Sequence, residues 1–124
     1  MTVVLLTVEI VESLHDRVLN PAEMRGRAGD KSLDGTLARV DNRLAYGLIK
    51  DVFDLAAAYA VAIAQDHCFN DGNKRTAFCA MNAVMAMNGV QMTYDTEAIG
   101  QTIIRAAKGA IEAGDLADWL RARA

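Results

Sequence analysis

Two apolar stretches of helical length, separated by a short polar segment, constrain the fold of this chain more than any other feature. The first runs from 55 to 64 and is dense in alanine, and the second runs from 77 to 87 with Asn82 as its only polar residue. Small side chains let neighbouring helices approach closely, and a helix that is apolar all round must be buried on nearly every side. We therefore predict two central helices, the second of them almost completely enclosed.

The composition favours an all-α fold. Hydrophobic residues make up 52% of the 124 residues but aromatic residues only 6%, so the core has to be built from Ala, Val, Leu, Ile and Met,. No repeat or linker divides the chain, and we predict a single domain over 1–124, a compact bundle of about six helices. Capping and spacing signals place these helices at Thr7–Leu19, Ser32 to about Leu44, Asp51–His67, about Asn73 to Asn88-Gly89, Asp95 or Thr96 to Lys108, and from Asp115 onward,.

Charge and cysteine content exclude several protein classes. The net charge of −3 argues against a general nucleic-acid binder,. Cys68 and Cys79 are too few for a disulfide framework, which favours a reduced compartment. The N-terminus lacks a basic leader, and the longest apolar run is too short to span a membrane. We expect a cytoplasmic protein that binds neither membranes nor, directly, nucleic acid.

The polar segment from 67 to 76 is the candidate functional site. Gly72 allows a positive φ immediately before a helix start, where unpaired backbone N–H groups form an anion cradle,. Lys74 and Arg75 add two cations to that first turn, although the helix dipole is already positive there. This arrangement is favourable if a polyanion binds, so the pattern predicts a phosphate site.

Two further residues of this loop suggest group-transfer chemistry. Asp71 supplies the hard oxygen ligand that Mg²⁺ needs beside phosphate groups. His67 is the only side chain here that, unperturbed, takes up a proton near neutral pH. Together the residues indicate transfer from an ATP-type nucleotide to a hydroxyl.

Each of these residues also has a structural interpretation. His67 could satisfy the last carbonyls of a helix, Asp71 and Asn73 could be turn and cap residues, and Lys74 and Arg75 a solvated face. No Walker-type loop occurs. Composition and spacing alone therefore leave the functional and the structural interpretation open.

The loop, written HCFNDGNKR from His67 to Arg75, resembles the signature H-x-F-x-D/N-A/G-N-K-R of the death-on-curing (Doc) toxins. Their Fic relatives carry H-P-F-x-D/E-G-N-G-R. The run Asp51–Tyr59, the Asn88-Gly89-Val90 turn and the Trp119-Leu120-Arg121 ending are also similar to the family's pattern, so the resemblance covers most of the chain. It implies a Fic/Doc-type bundle with the active-site loop between two central helices.

The resemblance implies roles for the matching residues. His67 would be the general base for a Ser or Thr hydroxyl, and Asp71 would bind Mg²⁺. Asn73, Lys74 and Arg75, with the loop backbone at Gly72, would hold the phosphates of ATP, while Phe69 would be structural. Cys68 departs from the Fic signature, which has proline there, but the Doc pattern leaves that position free.

Lys74 distinguishes the two branches of the family. Fic proteins have glycine there and transfer AMP, whereas the Doc branch is thought to bind the nucleotide reversed and to transfer the γ-phosphate. The resemblance implies a protein kinase acting on an elongation factor Tu-like target, with a Phd-type antitoxin as partner. The chain lacks the S/T-x-x-x-E-G/N motif of self-inhibited Fic proteins, so inhibition by a separate antitoxin is expected.

Two alternatives to the kinase remain open: an AMP transferase on the same loop, and a non-catalytic helical binding module. We assign no ligand role to His15, which we take for surface or core filler. Arg39 and Arg43 are interpreted as a solvated face. The methionines at helical spacing are interpreted as core: Met81, Met85, Met87 and Met92.

Overall fold

The computed structural model describes residues 3–124, which form six helices around one apolar core. They are α1 Val8–Val18, α2 Leu33–Ala45, α3 Val52–Asp66, α4 Asn73–Met87, α5 Thr96–Ala107 and α6 Ala113–Arg121. Within this part of the chain the only β-type pairing is an isolated bridge between Arg27 and Phe69. The predicted all-α bundle is confirmed. No helix in 3–124 combines the length and the apolar character needed to cross a bilayer.

Local capping signals set most helix starts. Four predicted caps each accept a hydrogen bond from a backbone N–H of the first turn: Thr7, Ser32, Asp51 and Asp95. Such a bond satisfies a donor that has no partner inside the helix. The predicted stop at Asn88-Gly89 is also observed, with Gly89 at φ 85°,.

The central position of α3 is confirmed. It packs against α2, α4, α5 and α6, and five of its six alanines are buried, as is Tyr59. Burial raises the pKa of Tyr59 to about 12. The hydroxyl therefore stays protonated, donates to Asp41 at 3.3 Å, and accepts from the backbone N–H of Leu6 at 3.3 Å.

The prediction that α4 is enclosed on nearly every side is wrong. Its residues facing α1, α3 and α5 are buried, but Phe78 and Asn82 are only partly buried and Met87 is exposed. The outer face borders a groove lined by the connection from Val90 to Tyr94. Apolar side chains commonly remain on protein surfaces, so an apolar sequence does not require enclosure on every side.

The start of the last helix also differs from the prediction. Asp115 was expected to begin it, but α6 begins at Ala113 with Glu112 as its cap residue. The Asp115 carboxylate lies one turn inside and accepts the backbone N–H of Glu112 at 2.9 Å. This is one half of a capping box, in which the inner acidic residue bonds back to the cap.

Candidate functional site

His67 ends α3 in an unusual backbone conformation. Its φ of 51° and ψ of 46° are left-handed, and it is the only non-glycine residue with positive φ in 3–124. A left-handed backbone costs a residue with a Cβ about 1–2 kcal/mol. Such strain persists where the surroundings fix it, often at functional sites. The side chain of His67 is exposed at the end of a buried helix.

Both neighbours of His67 are anchored by one buried hydroxyl of α2. Thr36 Oγ1 donates to Asp66 Oδ2 at 2.7 Å and lies 3.1 Å from the sulfur of Cys68. Arg39 forms an ion pair with the same Asp66 carboxylate. Arg39 is therefore not a purely solvated side chain, and α2 fixes the backbone on each side of His67.

Asp71 is half-buried and held through both its backbone and its side chain. Its Oδ2 accepts the backbone N–H of Met24 at 2.8 Å, and its carbonyl oxygen lies 2.7 Å from Nε2 of His15. Oδ1 accepts no hydrogen bond within the described residues. One carboxylate oxygen thus remains available as a cation ligand.

The start of α4 offers unpaired backbone donors. Gly72 has φ 79° and no side-chain cap, and the N–H groups of residues 73–75 have no acceptor within 3–124. The first backbone bond of this helix runs from Thr76 N to Gly72 O at 2.9 Å. These orphan donors lie where the sequence predicts an anion cradle, and their binding of an anion stays a prediction.

The three polar side chains of the first turn have different surroundings. Asn73 accepts from the backbone N–H of Phe69 and donates to its carbonyl, at 3.1 and 2.9 Å. These two bonds hold the loop closed and occupy the side chain of Asn73, so the backbone N–H of Asn73 is the group that remains for a phosphate. Lys74 is exposed and unpaired within the described chain, whereas Arg75 Nη2 donates to the carboxylate of Glu23.

Glu23 was not predicted as a site residue. The Arg75 guanidinium, and secondarily the backbone N–H of Asn20, hold the pKa of its carboxyl below its usual value. The ion pair partly neutralises the charge of Arg75. Nε and Nη1 of the Arg75 guanidinium remain unbonded within the described residues. A contact across 52 positions leaves no local pattern from which sequence analysis could find it.

The connection between α1 and α2 is hydrogen-bonded to the loop between α3 and α4. Asn70 donates its backbone N–H to Gly26 O at 3.1 Å, and Ala28 donates to Cys68 O at 2.8 Å. Most of the connection is exposed. Its role in holding the site is visible only in three dimensions.

A mostly apolar groove of about 290 Å³ begins beside the cradle. Lys74 and Arg75 form its polar end, and α4 and α5 form its walls. The apolar lining consists mainly of Phe78, Ile99, Ile103 and Ile104.

The residues present fit a metal shared with a phosphate better than a metal held by protein alone. No cluster of three or more His, Cys, Asp or Glu side chains that could hold a metal occurs within 3–124. Asp71 offers one free carboxylate oxygen beside the unpaired N–H groups. Mg²⁺ typically takes one or two carboxylates and completes its shell with phosphate and water.

Comparison with known proteins gives a consistent result. The family model described as "Fic/DOC family" matches residues 5–85, which is more than half of the chain. "Protein kinase doc" of Escherichia phage P1 is 36% identical over 110 residues, 88% of this chain and 86% of that protein. "Toxin Doc" of Mycolicibacterium smegmatis is 38% identical over 65 residues, 51% of this chain and 49% of that protein.

Proposed function

The chain belongs to the Fic/Doc family, and from that premise we propose that it is the toxin of a toxin–antitoxin pair and transfers phosphate from ATP to a protein hydroxyl. The observation that carries the proposal is the convergence at one loop of an exposed histidine, a carboxylate with a free oxygen, unpaired N–H groups and two cations. Any one of these has a structural explanation, but the combination matches the requirements of nucleotide-dependent transfer.

Four side chains of the loop, together with its backbone, have a part in the proposed reaction: His67, Asp71, Lys74 and Arg75. His67 accepts the proton of a Ser or Thr hydroxyl, which makes the oxygen a better nucleophile. The N–H groups that follow Gly72, with Lys74 and Arg75, hold the phosphates. Mg²⁺, held by Asp71, would neutralise phosphate charge when bound.

Phosphoryl transfer is favoured over AMP transfer because of Lys74. A glycine there would leave the cradle open, whereas a lysine fills part of it and presents an ammonium to a phosphate from another direction. A bond forms between the hydroxyl oxygen and the γ-phosphorus, and the bond from that phosphorus to the bridging oxygen breaks. The products are a phosphoprotein and ADP, and His67 retains the proton.

The target and the partner follow from the same family membership. We propose that an elongation factor Tu-like protein is modified, which would halt protein synthesis, and that a Phd-type antitoxin inhibits the enzyme. Two relatives support the coarser assignment of a toxin with a transferase activity, since one is named as a kinase and the other as a toxin.

Labelled ATP tests the reaction type. The protein is incubated with Mg²⁺, purified elongation factor Tu or a whole-cell lysate, and ATP labelled in either the γ- or the α-phosphate. We expect γ-label on a protein target and no α-label. Lys74→Gly should abolish γ-transfer without creating efficient AMP transfer. Lys108→Gly, which changes another exposed lysine at the end of α5, serves as control.

The two alternatives give different results in the same assay. Transfer of α-label by the wild type would replace the kinase with the AMP transferase. Absence of both transfer and ATP binding would leave the helical binding module.

A further inference from the structure

His15 is a buried ionisable side chain that the proposed reaction does not use. It lies on α1 with 1% of its surface exposed. Burying a polar ring without partners costs free energy, so its contacts indicate its role.

The ring makes two contacts with the active-site loop, and its Nδ1 lies 3.9 Å from the carboxylate of Asp16 on α1 itself. The imidazole stacks on Phe69 with ring centroids 3.8 Å apart and planes 9° from parallel. Nε2 lies 2.7 Å from the carbonyl oxygen of Asp71. Because a carbonyl oxygen only accepts, Nε2 must carry the proton and donate.

These contacts combine with others to leave Asp71 little freedom. Its carbonyl is held by His15, and one carboxylate oxygen is held by the backbone N–H of Met24. A Cβ added at Gly72 would lie 3.5–3.6 Å from Leu19 and His15, so α1 packs directly against the turn. The other carboxylate oxygen remains free.

We infer that His15 is a positioning residue that orients Asp71 toward the metal-bound nucleotide. The inference rests on the proposed function. An intramolecular bond that fixes a ligand before binding reduces the ordering that binding would otherwise require. The Nε2–H group orients Asp71, because it donates to the carbonyl oxygen of that residue. The stacking of the ring on Phe69 sets the distance between the Nε2–H group and the loop.

Two substitutions separate the donor from the ring. His15→Phe keeps an aromatic ring against Phe69 but cannot donate, and His15→Gln places an amide N–H near the position of Nε2. Thr102→Val is the matched control, since it removes a buried hydrogen bond to a backbone carbonyl on α5, away from the loop.

Hydrogen exchange of the ligand-free protein gives a readout independent of activity. His15→Phe should speed exchange of the two hydrogen-bonded amides of the segment 69–73, those of Phe69 and Asn70, by about five- to tenfold, the effect of losing one hydrogen bond,. His15→Gln should restore much of the protection, and Thr102→Val should not change this segment. The Mg²⁺-dependent gain in ATP affinity, measured by calorimetry, should fall by about the same factor in His15→Phe.

The inference is overturned if folded His15→Phe retains wild-type exchange at Phe69 and Asn70, or if Thr102→Val changes the exchange of these two amides as much. If His15→Phe does not fold, nitrogen NMR of the imidazole in the wild type tests the inference instead. An Nε2 atom without a proton could not donate to the Asp71 carbonyl and would overturn the inference. If wild-type ATP affinity gains nothing from Mg²⁺, the proposed function fails, while loop exchange still tests the contact.

Discussion

His67 combines an exposed imidazole with a backbone that few residues adopt. The hydroxyl of Thr36 anchors its neighbours Asp66 and Cys68, so the histidine is held at the end of a rigid helix. A base that is already in place loses less entropy on reaching the transition state. The left-handed backbone also determines which substitution tests the base cleanly.

His67→Asn should abolish most transfer without unfolding the protein. Asparagine tolerates the left-handed region better than alanine but supplies no base. We expect the transfer rate to fall by about 10²–10⁴-fold, with a near-unchanged thermal unfolding midpoint and unchanged ATP affinity. A variant that transfers phosphate at nearly the wild-type rate would remove His67 from the mechanism.

Asp71→Asn should weaken ATP binding only when Mg²⁺ is present. The amide oxygen keeps the acceptor for the N–H of Met24 but lacks the charge that a hard cation needs,. Calorimetry with and without Mg²⁺ measures the difference. Asp30→Asn makes the same charge change in an exposed loop and should bind as the wild type does; equal Mg²⁺ dependence in both variants would contradict the assignment.

At the scale of elements, one arginine joins the last helix to the central one. Arg121 of α6 donates to Asp51 at 2.8 and 3.0 Å and also to Asp54, both at the start of α3. Its hydrogen bonds, together with those from the backbone, hold the pKa of Asp51 below its usual value. Because His67 lies at the C-terminal end of α3, these contacts of Arg121 stabilise the helix that carries the proposed base.

Arg121→Ala should destabilise the fold by about 1 kcal/mol at neutral pH, a value kept small because these groups are partly solvent-exposed. The lowered pKa of Asp51 means that these contacts of Arg121 contribute above the unfolded value of 3.8 and are lost as the pH falls through the folded value,. The difference in unfolding free energy from the wild type should therefore begin to shrink below about pH 5 and shrink further as the pH falls past 3.8,.

Chemical denaturation at several pH values measures that difference. Arg105→Ala removes an exposed arginine from the last turn of α5 that has no ion pair within the described residues, and it should show no such pH trend. A constant deficit for Arg121→Ala down to pH 3 would mean that the ion pairs contribute nothing to stability.

At the scale of the whole molecule, the proposed function predicts an effect on living cells. Expression of the wild type alone should stop growth and protein synthesis, because the proposed target is a translation factor. Cells should tolerate His67→Asn, and a co-expressed Phd-type antitoxin should restore growth. Normal growth with abundant, active wild type would indicate a modifier with another role.

Local signals determined most of the helices and the composition of the site. Caps such as Ser32 and Asp51 act on the next few residues, so their effect is legible in sequence. The loop residues His67, Asp71 and Gly72 lie within one short segment, which made the candidate site visible as well. Their catalytic, metal and phosphate roles remain predictions.

Only the tertiary structure decided what holds that segment in place. His15, taken for surface or core filler, is in the core, but its contact with Asp71 across 56 positions was not predicted, and neither was that of Glu23 with Arg75 across 52. Likewise, one face of α4 is open although its sequence is apolar. Periodicity and capping describe neighbours a few residues apart, whereas contacts between distant residues depend on how whole helices pack.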